Sequence, residues 1–294
     1  MINSNIPADK AVGFEIYHFP FDINRNRELS DKYVDLGFMN QAPLSLRNLE
    51  YGKNLAQKGM KFWIYANAVL YSRVEDGKRN YYIKDDYKEI IAEQVKQLKD
   101  AGLWDSVIGF DYDEPMLQST NELVLKATEE YAKYGKRIRA IFSYYEIIEG
   151  SHPKSNDPEF GKEAHLINPE SCKYFTDVGF DWYGKRGYKA HKRVLDEMKR
   201  RVGRDDVYIW LLPCTWSAHN RFSEEHCLKH LETCYRLLKA QKHPGGLSCY
   251  NWYSFGTDGA GLDWLLADEN ISRWAKLEKR MIEIGDELIK MRLK

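Results

Sequence analysis

Eight short runs of apolar residues rich in β-branched and aromatic side chains recur at intervals of about thirty residues, the length of a strand–helix unit that returns to a parallel strand. No other feature constrains the fold as much. The runs are Val12 to Phe19, Leu36 to Gln41, Lys61 to Ala68, Val107 to Asp113, Arg137 to Tyr145, Asp177 to Tyr183, Val207 to Cys214 and Gly246 to Phe255. Helical spacing lies between them, over Leu44 to Lys58, Asp85 to Ala101, Asn121 to Tyr134, Tyr188 to Val202, Ser223 to Ala240 and about Asn270 to Met291. Gly59, Gly102, Gly135 and Gly203 close helical stretches just before a strand, where a residue tolerant of left-handed dihedrals is expected. Eight units in β-then-α order predict an α/β protein, a (β/α)8 barrel rather than an open doubly wound sheet. No G-x-G-x-x-G follows the first run, which argues further against a dinucleotide site.

The 294 residues could hold two domains, yet barrels of this type use ~250 residues as one body. No charge block, low-complexity linker or Pro/Ser-rich hinge divides the chain, so residues 1–294 are read as one barrel domain. Lys and Arg total 44, as do Asp and Glu, and they are interspersed. That balance offers no basic stripe to nucleic acid and no electrostatic attraction to a membrane surface. The longest apolar stretch, Phe62 to Tyr71, is interrupted by Asn67 and too short to span a bilayer, and Met1 to Lys10 lacks the apolar core of a signal peptide. The expectation is a cytoplasmic protein as the sequence stands, or an exported one if a leader has been removed. The five cysteines are odd in number and lack C-x-x-C spacing, so they read as buried thiols rather than a disulfide framework or zinc knuckle.

Strand parity says which residues face inward, because the helix-facing side of a barrel strand must be apolar. In the fourth run Ile108, Phe110 and Tyr112 form that face, leaving Gly109, Asp111 and Asp113 inside. In the sixth, Val178, Phe180 and Trp182 face the helices and Asp177, Gly179, Asp181 and Tyr183 point in. The first run turns Glu15 and Tyr17 inward. An ionised carboxylate in a packed interior costs several kcal/mol unless it is paired or sits at a wet mouth, so five inward acids require a reason.

The segment Gly109-Phe110-Asp111-Tyr112-Asp113-Glu114-Pro115 sets Asp113 and Glu114 side by side at the C-terminal lip of the fourth strand, the end where barrel enzymes carry their active sites. Alternation relaxes at a strand end, and Pro115 stops the strand there. Two touching carboxyls cannot both ionise easily, so one is expected to hold its proton near neutral pH while the other stays charged, the division of labour of glycoside hydrolysis. The segment GFDYDEP, with FTDVGFDWYG on the sixth strand and GGLSCYNWYSFG on the eighth, resembles the TIM-barrel glycoside hydrolases. It is most similar to those with an adjacent Asp-Glu pair, the family 20 and family 123 N-acetylhexosaminidases. The resemblance implies that Glu114 is the general acid and base and that Asp113 orients a substrate 2-acetamido group acting as nucleophile. It also implies that Tyr183 or Tyr253 holds the acetamide oxygen. The chain differs from the family 18 chitinases, which require D-x-D-x-E, because Glu114 directly follows Asp113. In a two-carboxylate mechanism the second acid would come from Asp181, Glu146 or Glu15.

With 8 Trp and 20 Tyr the chain is rich in rings that can stack on sugar C–H faces. Tyr145, Trp182, Tyr183, Trp216, Trp252 and Tyr253 fall where strands meet the cleft; core packing is the competing role for any one of them, and Trp216 and Trp252 are the best exceptions. Glu15, Asn67, Asp111 and Asp181 complete the candidate substrate-binding set, with a buried bracing network as their alternative role. Glu146 reads equally as a solvated loop acid. His226 and His230 are four apart, but H-C-L-K-H lacks the Glu of H-E-x-x-H, so they read as a solvated helix face. No metal or cofactor is expected, and the expected partner is an oligosaccharide or polysaccharide. Two further readings remain: a non-catalytic sugar-binding barrel, and a barrel acting on a phosphorylated metabolite through Gly256 to Gly261. The long segments Tyr71 to Asp86 and Glu149 to Asn168 are expected to be loops that shape the site.

Overall fold

The computed structural model describes residues 1–17, 27–151, 165–183, 187–216, 222–250 and 271–294. Its strands are β1 (Gly13–Ile16), β2 (Gln41–Leu44), β3 (Lys61–Tyr65), β4 (Leu70–Glu75), β5 (Lys78–Ile83), β6 (Val107–Asp113), β7 (Arg137–Ser143), β8 (Asp177–Asp181), β9 (Tyr208–Leu212) and β10 (Pro244–Cys249). Its helices are α1 (Arg27–Asp35), α2 (Leu49–Gln57), α3 (Tyr87–Asp100), α4 (Pro115–Gln118), α5 (Asn121–Ala132), α6 (Tyr144–Ile147), α7 (Tyr188–Val202), α8 (Glu224–Lys239) and α9 (Ile271–Leu288). Eight parallel strands run in the order β1-β10-β9-β8-β7-β6-β3-β2 with helices outside them, a nearly closed (β/α)8 barrel.

Among the described residues the seam between β1 and β2 is closed by Asn40. Asn40 Oδ1 accepts from Phe14 N–H at 2.9 Å, and its Nδ2 donates to the Val12 carbonyl at 3.1 Å. The Asn40 main-chain N–H adds a 3.2 Å bond to the Phe14 carbonyl. The amide thus stands in for a ladder of backbone groups, which cannot be left unpaired in an interior.

The helices form where apolar residues recur every three to four positions. In α7 His191, Val194, Leu195, Met198 and Val202 are buried, and Gly203 ends the helix at φ 70°. Gly59, Gly102 and Gly135 also have positive φ, as expected. Around the barrel, Phe110 and Tyr112 of β6 pack on Tyr131 of α5, with ring centroids 4.4 and 6.0 Å apart.

Several expectations are corrected. The second strand is Gln41–Leu44, not Leu36 to Gln41, because Leu36 and Gly37 (φ 72°) still terminate α1, a helix the periodicity does not reveal. The helix expected from Leu44 starts only at Leu49, after a short 3₁₀ turn. The segment Tyr71 to Asp86 is largely the β4–β5 hairpin, turned by Asp76 (φ 51°) and Gly77 (φ 76°). An Asp-Gly pair with both φ positive matches the twist of flanking strands. Ile108 does not face the helices; the β3–β6 register skips it, and it joins Trp63, Ile141, Trp210 and Leu212 in the barrel interior. Among the described residues no helix is long and apolar enough to cross a membrane.

Candidate active site

The lower interior is built from aromatic rings and arginines. Trp63 and Trp210 meet edge to face at 5.8 Å, and the Arg139 guanidinium lies 4.4 Å from each ring. Trp210 fits because Gly13, Gly179, Gly245 and Gly246 surround it; a Cβ on any of them would lie 2.3–2.7 Å from its side chain. Arg139 grips Asp111 with two nitrogens, at 2.7 and 2.9 Å, and lies 2.8 Å from Glu15. Arg137 pairs with Asp177, whose Oδ1 also accepts from Trp210 Nε1 at 2.8 Å. Three of the five inward acids, Glu15, Asp111 and Asp177, therefore have arginine partners.

At the C-terminal lip the arrangement changes. Asp113 ends β6 and Asp181 ends β8, both half-buried, and among the described residues neither these two nor Glu114 forms an ion pair. Asp113 is held by its backbone: its N–H donates to Asn67 Oδ1 at 3.0 Å, and its carbonyl accepts from Asn67 Nδ2 at 2.5 Å and Gln118 Nε2 at 3.0 Å. Asn67 uses both ends of its amide on that main chain, which makes it a brace for Asp113. Burial, then the charges of Glu114 and Asp111, push the Asp113 carboxyl up to about 8, against the opposing pull of a Tyr17 hydrogen bond and Arg139.

Glu114 has φ 45° and ψ 55°, a left-handed conformation that a non-glycine residue adopts only when its surroundings enforce it. The reversal turns the chain directly from β6 into α4, whose first residue is Pro115. Its carboxyl is raised by burial and by Asp181; Asp181 is raised by burial and by Asp113, with the Tyr183 hydroxyl opposing. The mouth thus gathers three acids that favour keeping protons, a proton reservoir close to neutral pH.

Aromatic rings wall this group. Tyr250, just beyond β10, stacks on Tyr183 at 4.8 Å and contacts Tyr17 at 5.9 Å and Trp216 at 5.5 Å. Trp182 stacks on Tyr144 at 4.5 Å, and half-buried Tyr145 lies edge-on to Tyr144. Tyr65, at the end of β3, stays 41% exposed and is pushed up to about 12 by burial and by Asp113. Tyr17, Tyr65 and Tyr250 escaped the sequence reading of the site. Inward parity places Tyr17 and Tyr65, whereas nothing in composition separates Tyr250 from a core ring.

The remaining candidates sort plainly. Glu15 and Asp111 belong to the Arg139 network beneath the lip. Glu146 is not a solvated acid but is buried, its carboxylate bound to the backbone N–H groups of Ser143 and Met116. His230 is likewise no solvated residue: it is buried, accepts from Cys214 N–H at 2.8 Å and sits 2.7 Å from His191. All five cysteines are buried thiols. Among the described residues no group of three His, Cys, Asp or Glu is arranged to hold a metal ion. Trp252, Tyr253 and the glycine segment Gly256 to Gly261 lie outside the described residues, as does most of Glu149 to Asn168.

No protein-family profile matches the chain, and no curated protein matches its sequence. Among solved structures, a proposed alpha-L-fucosidase from Bacteroides thetaiotaomicron superposes with a TM-score of 0.57 at 11% identity, covering 97% of this chain and 98% of that one. A GH113 beta-1,4-mannanase superposes with a TM-score of 0.55 at 11% identity, covering 95% and 99%. The chain is a (β/α)8 barrel. At such identities the likeness speaks to the barrel alone. The barrel hosts many chemistries, so function has to be argued from the lip.

Proposed function

We propose that this barrel is a glycoside hydrolase acting on an oligosaccharide or polysaccharide, with Glu114 as general acid and base and Asp113 orienting the substrate's 2-acetamido group. One observation carries the reading: Asp113, Glu114 and Asp181 share the lip without an ion-paired cation among the described residues, while the acids beneath them are matched to arginines. A protonated Glu114 can donate to the glycosidic oxygen as that C–O bond breaks. The acetamide oxygen attacks the anomeric carbon in the same step, and a water activated by Glu114 later opens the ring so formed. Asp113, fixed through its backbone by Asn67 and Gln118, presents a carboxyl oxygen that can accept from the acetamide N–H. Tyr183, Tyr145, Trp216, Tyr65 and Tyr250 supply the rings and hydroxyls that a pyranose needs.

A second reading uses two carboxylates, with Asp181 as nucleophile or base. It is favoured by the mutual influence of Glu114 and Asp181, and by the other engagements of Glu15 and Glu146. The test is hydrolysis of chromogenic glycosides and N-acetylated oligosaccharides by the wild type, Glu114→Gln and Asp181→Asn, with chelator present. The expected result is turnover confined to 2-acetamido sugars, unaffected by chelator and reduced ~10²-fold or more by Glu114→Gln. Turnover of plain hexosides abolished by Asp181→Asn selects the second reading. Sugar binding without turnover selects a lectin-like barrel, and absence of both removes the sugar.

A further inference from the structure

Glu146 is fully buried, and each of its carboxylate oxygens accepts a backbone N–H from a different element. Oε2 accepts from Ser143, the last residue of β7, and Oε1 accepts from Met116 at 2.5 Å. Met116 is the second residue of α4, directly after the left-handed Glu114 and Pro115. The Ser143 hydroxyl accepts in turn from Tyr145 N–H at 3.1 Å, completing a cap at the start of α6. The same turn is tied at two more points: Glu114 N–H donates to the Ile141 carbonyl at 2.8 Å, and His165 Nδ1 lies 3.1 Å from the Met116 carbonyl.

A capping Glu needs only one backbone partner, and α6 is a single turn, so the second bond has another purpose. A left-handed non-glycine residue costs of order 1–3 kcal/mol and persists only where neighbours hold it. The Met116 N–H lies two residues beyond Glu114, and a bond to a buried carboxylate is among the stronger ones available. We propose that Glu146 is a positioning residue, a carboxylate clamp across the ends of β6 and β7 that holds the turn carrying Glu114 and sets the direction in which Glu114 faces the mouth. The inference rests on the catalytic role proposed for Glu114, but the clamp itself can be tested without turnover.

The two N–H donors pull the Glu146 carboxyl down, but burial, and then the charge of Glu114, push it well above the usual carboxylate range. The titratable groups facing Glu114 are Asp113 on its own strand, Asp181 and Tyr183 from β8 and its end, Glu146 from α6, Tyr65 from β3 and Tyr250 beyond β10, with Arg139 beneath Asp113.

Glu146→Gln keeps the shape and sets an NH2 group against one of the two N–H donors. Amide exchange of Met116 reads the clamp in the free protein. The expected outcome is at least tenfold faster exchange at Met116. With a turned-over substrate, kcat falls at least tenfold with KM changed less than threefold. Ser143→Ala, which removes the hydroxyl half of the cap but neither bond of Glu146, changes Met116 exchange less than ~3-fold. Unchanged Met116 exchange in Glu146→Gln overturns the proposal even if the barrel cleaves sugars. The expected faster exchange upholds the clamp even if no glycoside is cleaved, in which case only the catalytic reading fails.

Discussion

Asp111 and Asp113 stand two residues apart on β6, on the inward face, and differ in almost everything else. Asp111 is gripped through two bonds by Arg139, which also meets Glu15 and lies between two tryptophan rings. Asp113 has a tyrosine, a backbone brace and two more acids, and its carboxyl is driven up to about 8. The same contrast recurs on β8, where Asp177 pairs with Arg137 and Asp181 has no ion-pair partner among the described residues. Inward acids therefore form two populations. Those matched to arginine brace the barrel, although burial still raises Glu15 against the pull of Arg139, and those gathered at the lip store protons. A carboxyl kept protonated near neutral pH is held at a thermodynamic disadvantage, and sites of chemistry are where folds tolerate one.

The contrast is broken most severely from below. Arg139→Leu leaves Glu15 and Asp111 buried without a partner and should cost ~3–5 kcal/mol in urea unfolding at pH 7. The deficit should shrink as the pH is lowered, because the two acids then take up protons; a deficit under 1 kcal/mol would mean that the network does not brace the barrel. The opposite sign is expected at the lip. The folded state holds the Asp113 proton up to about 8, whereas an unfolded Asp releases it near its ordinary value of ~3.9. This contribution favours folding below pH ~4 and is lost as the pH climbs toward 8. Asp113→Asn should match the wild type at pH 4 and be ~1–2 kcal/mol more stable at pH 9, the full linkage being reduced by the wetness of the lip. Equal stability at both pH values would put Asp113 in the same class as Asp111. The smallest effect belongs to Tyr65. Tyr65→Ala should change stability by no more than ~0.5 kcal/mol while weakening oligosaccharide binding ~5- to 10-fold in calorimetry; unchanged binding would remove Tyr65 from the sugar surface.

The barrel was legible because its two periods, two for strands and near 3.6 for helices, are written locally and repeated eight times. The adjacency of Asp113, Glu114 and Pro115 was legible for the same reason. What escaped depends on distant partners. Arg139 looks like an ordinary polar residue in a strand until Glu15 and Asp111 converge on it from β1 and β6. Asn67 meets the Asp113 backbone 46 residues away, and no pattern marks a side chain whose partner is a main chain. Glu146 looked like a loop acid because nothing local reveals that Met116 stands opposite it. The β4–β5 hairpin is a different kind of miss, since its Asp76-Gly77 turn was in plain view between β-prone residues.

Seven joints around the ring are ladders, in which losing one bond leaves others in place. The eighth is a clasp made by Asn40. A hoop fastened at one point breathes there first, so the amides of Phe14 and Asn40 exchange with solvent ahead of those in β6 and β7. Tyr17, the residue that bonds Asp113, follows β1, one of the two strands at that joint, so a strand beside the clasp steadies one of the proton-bearing acids.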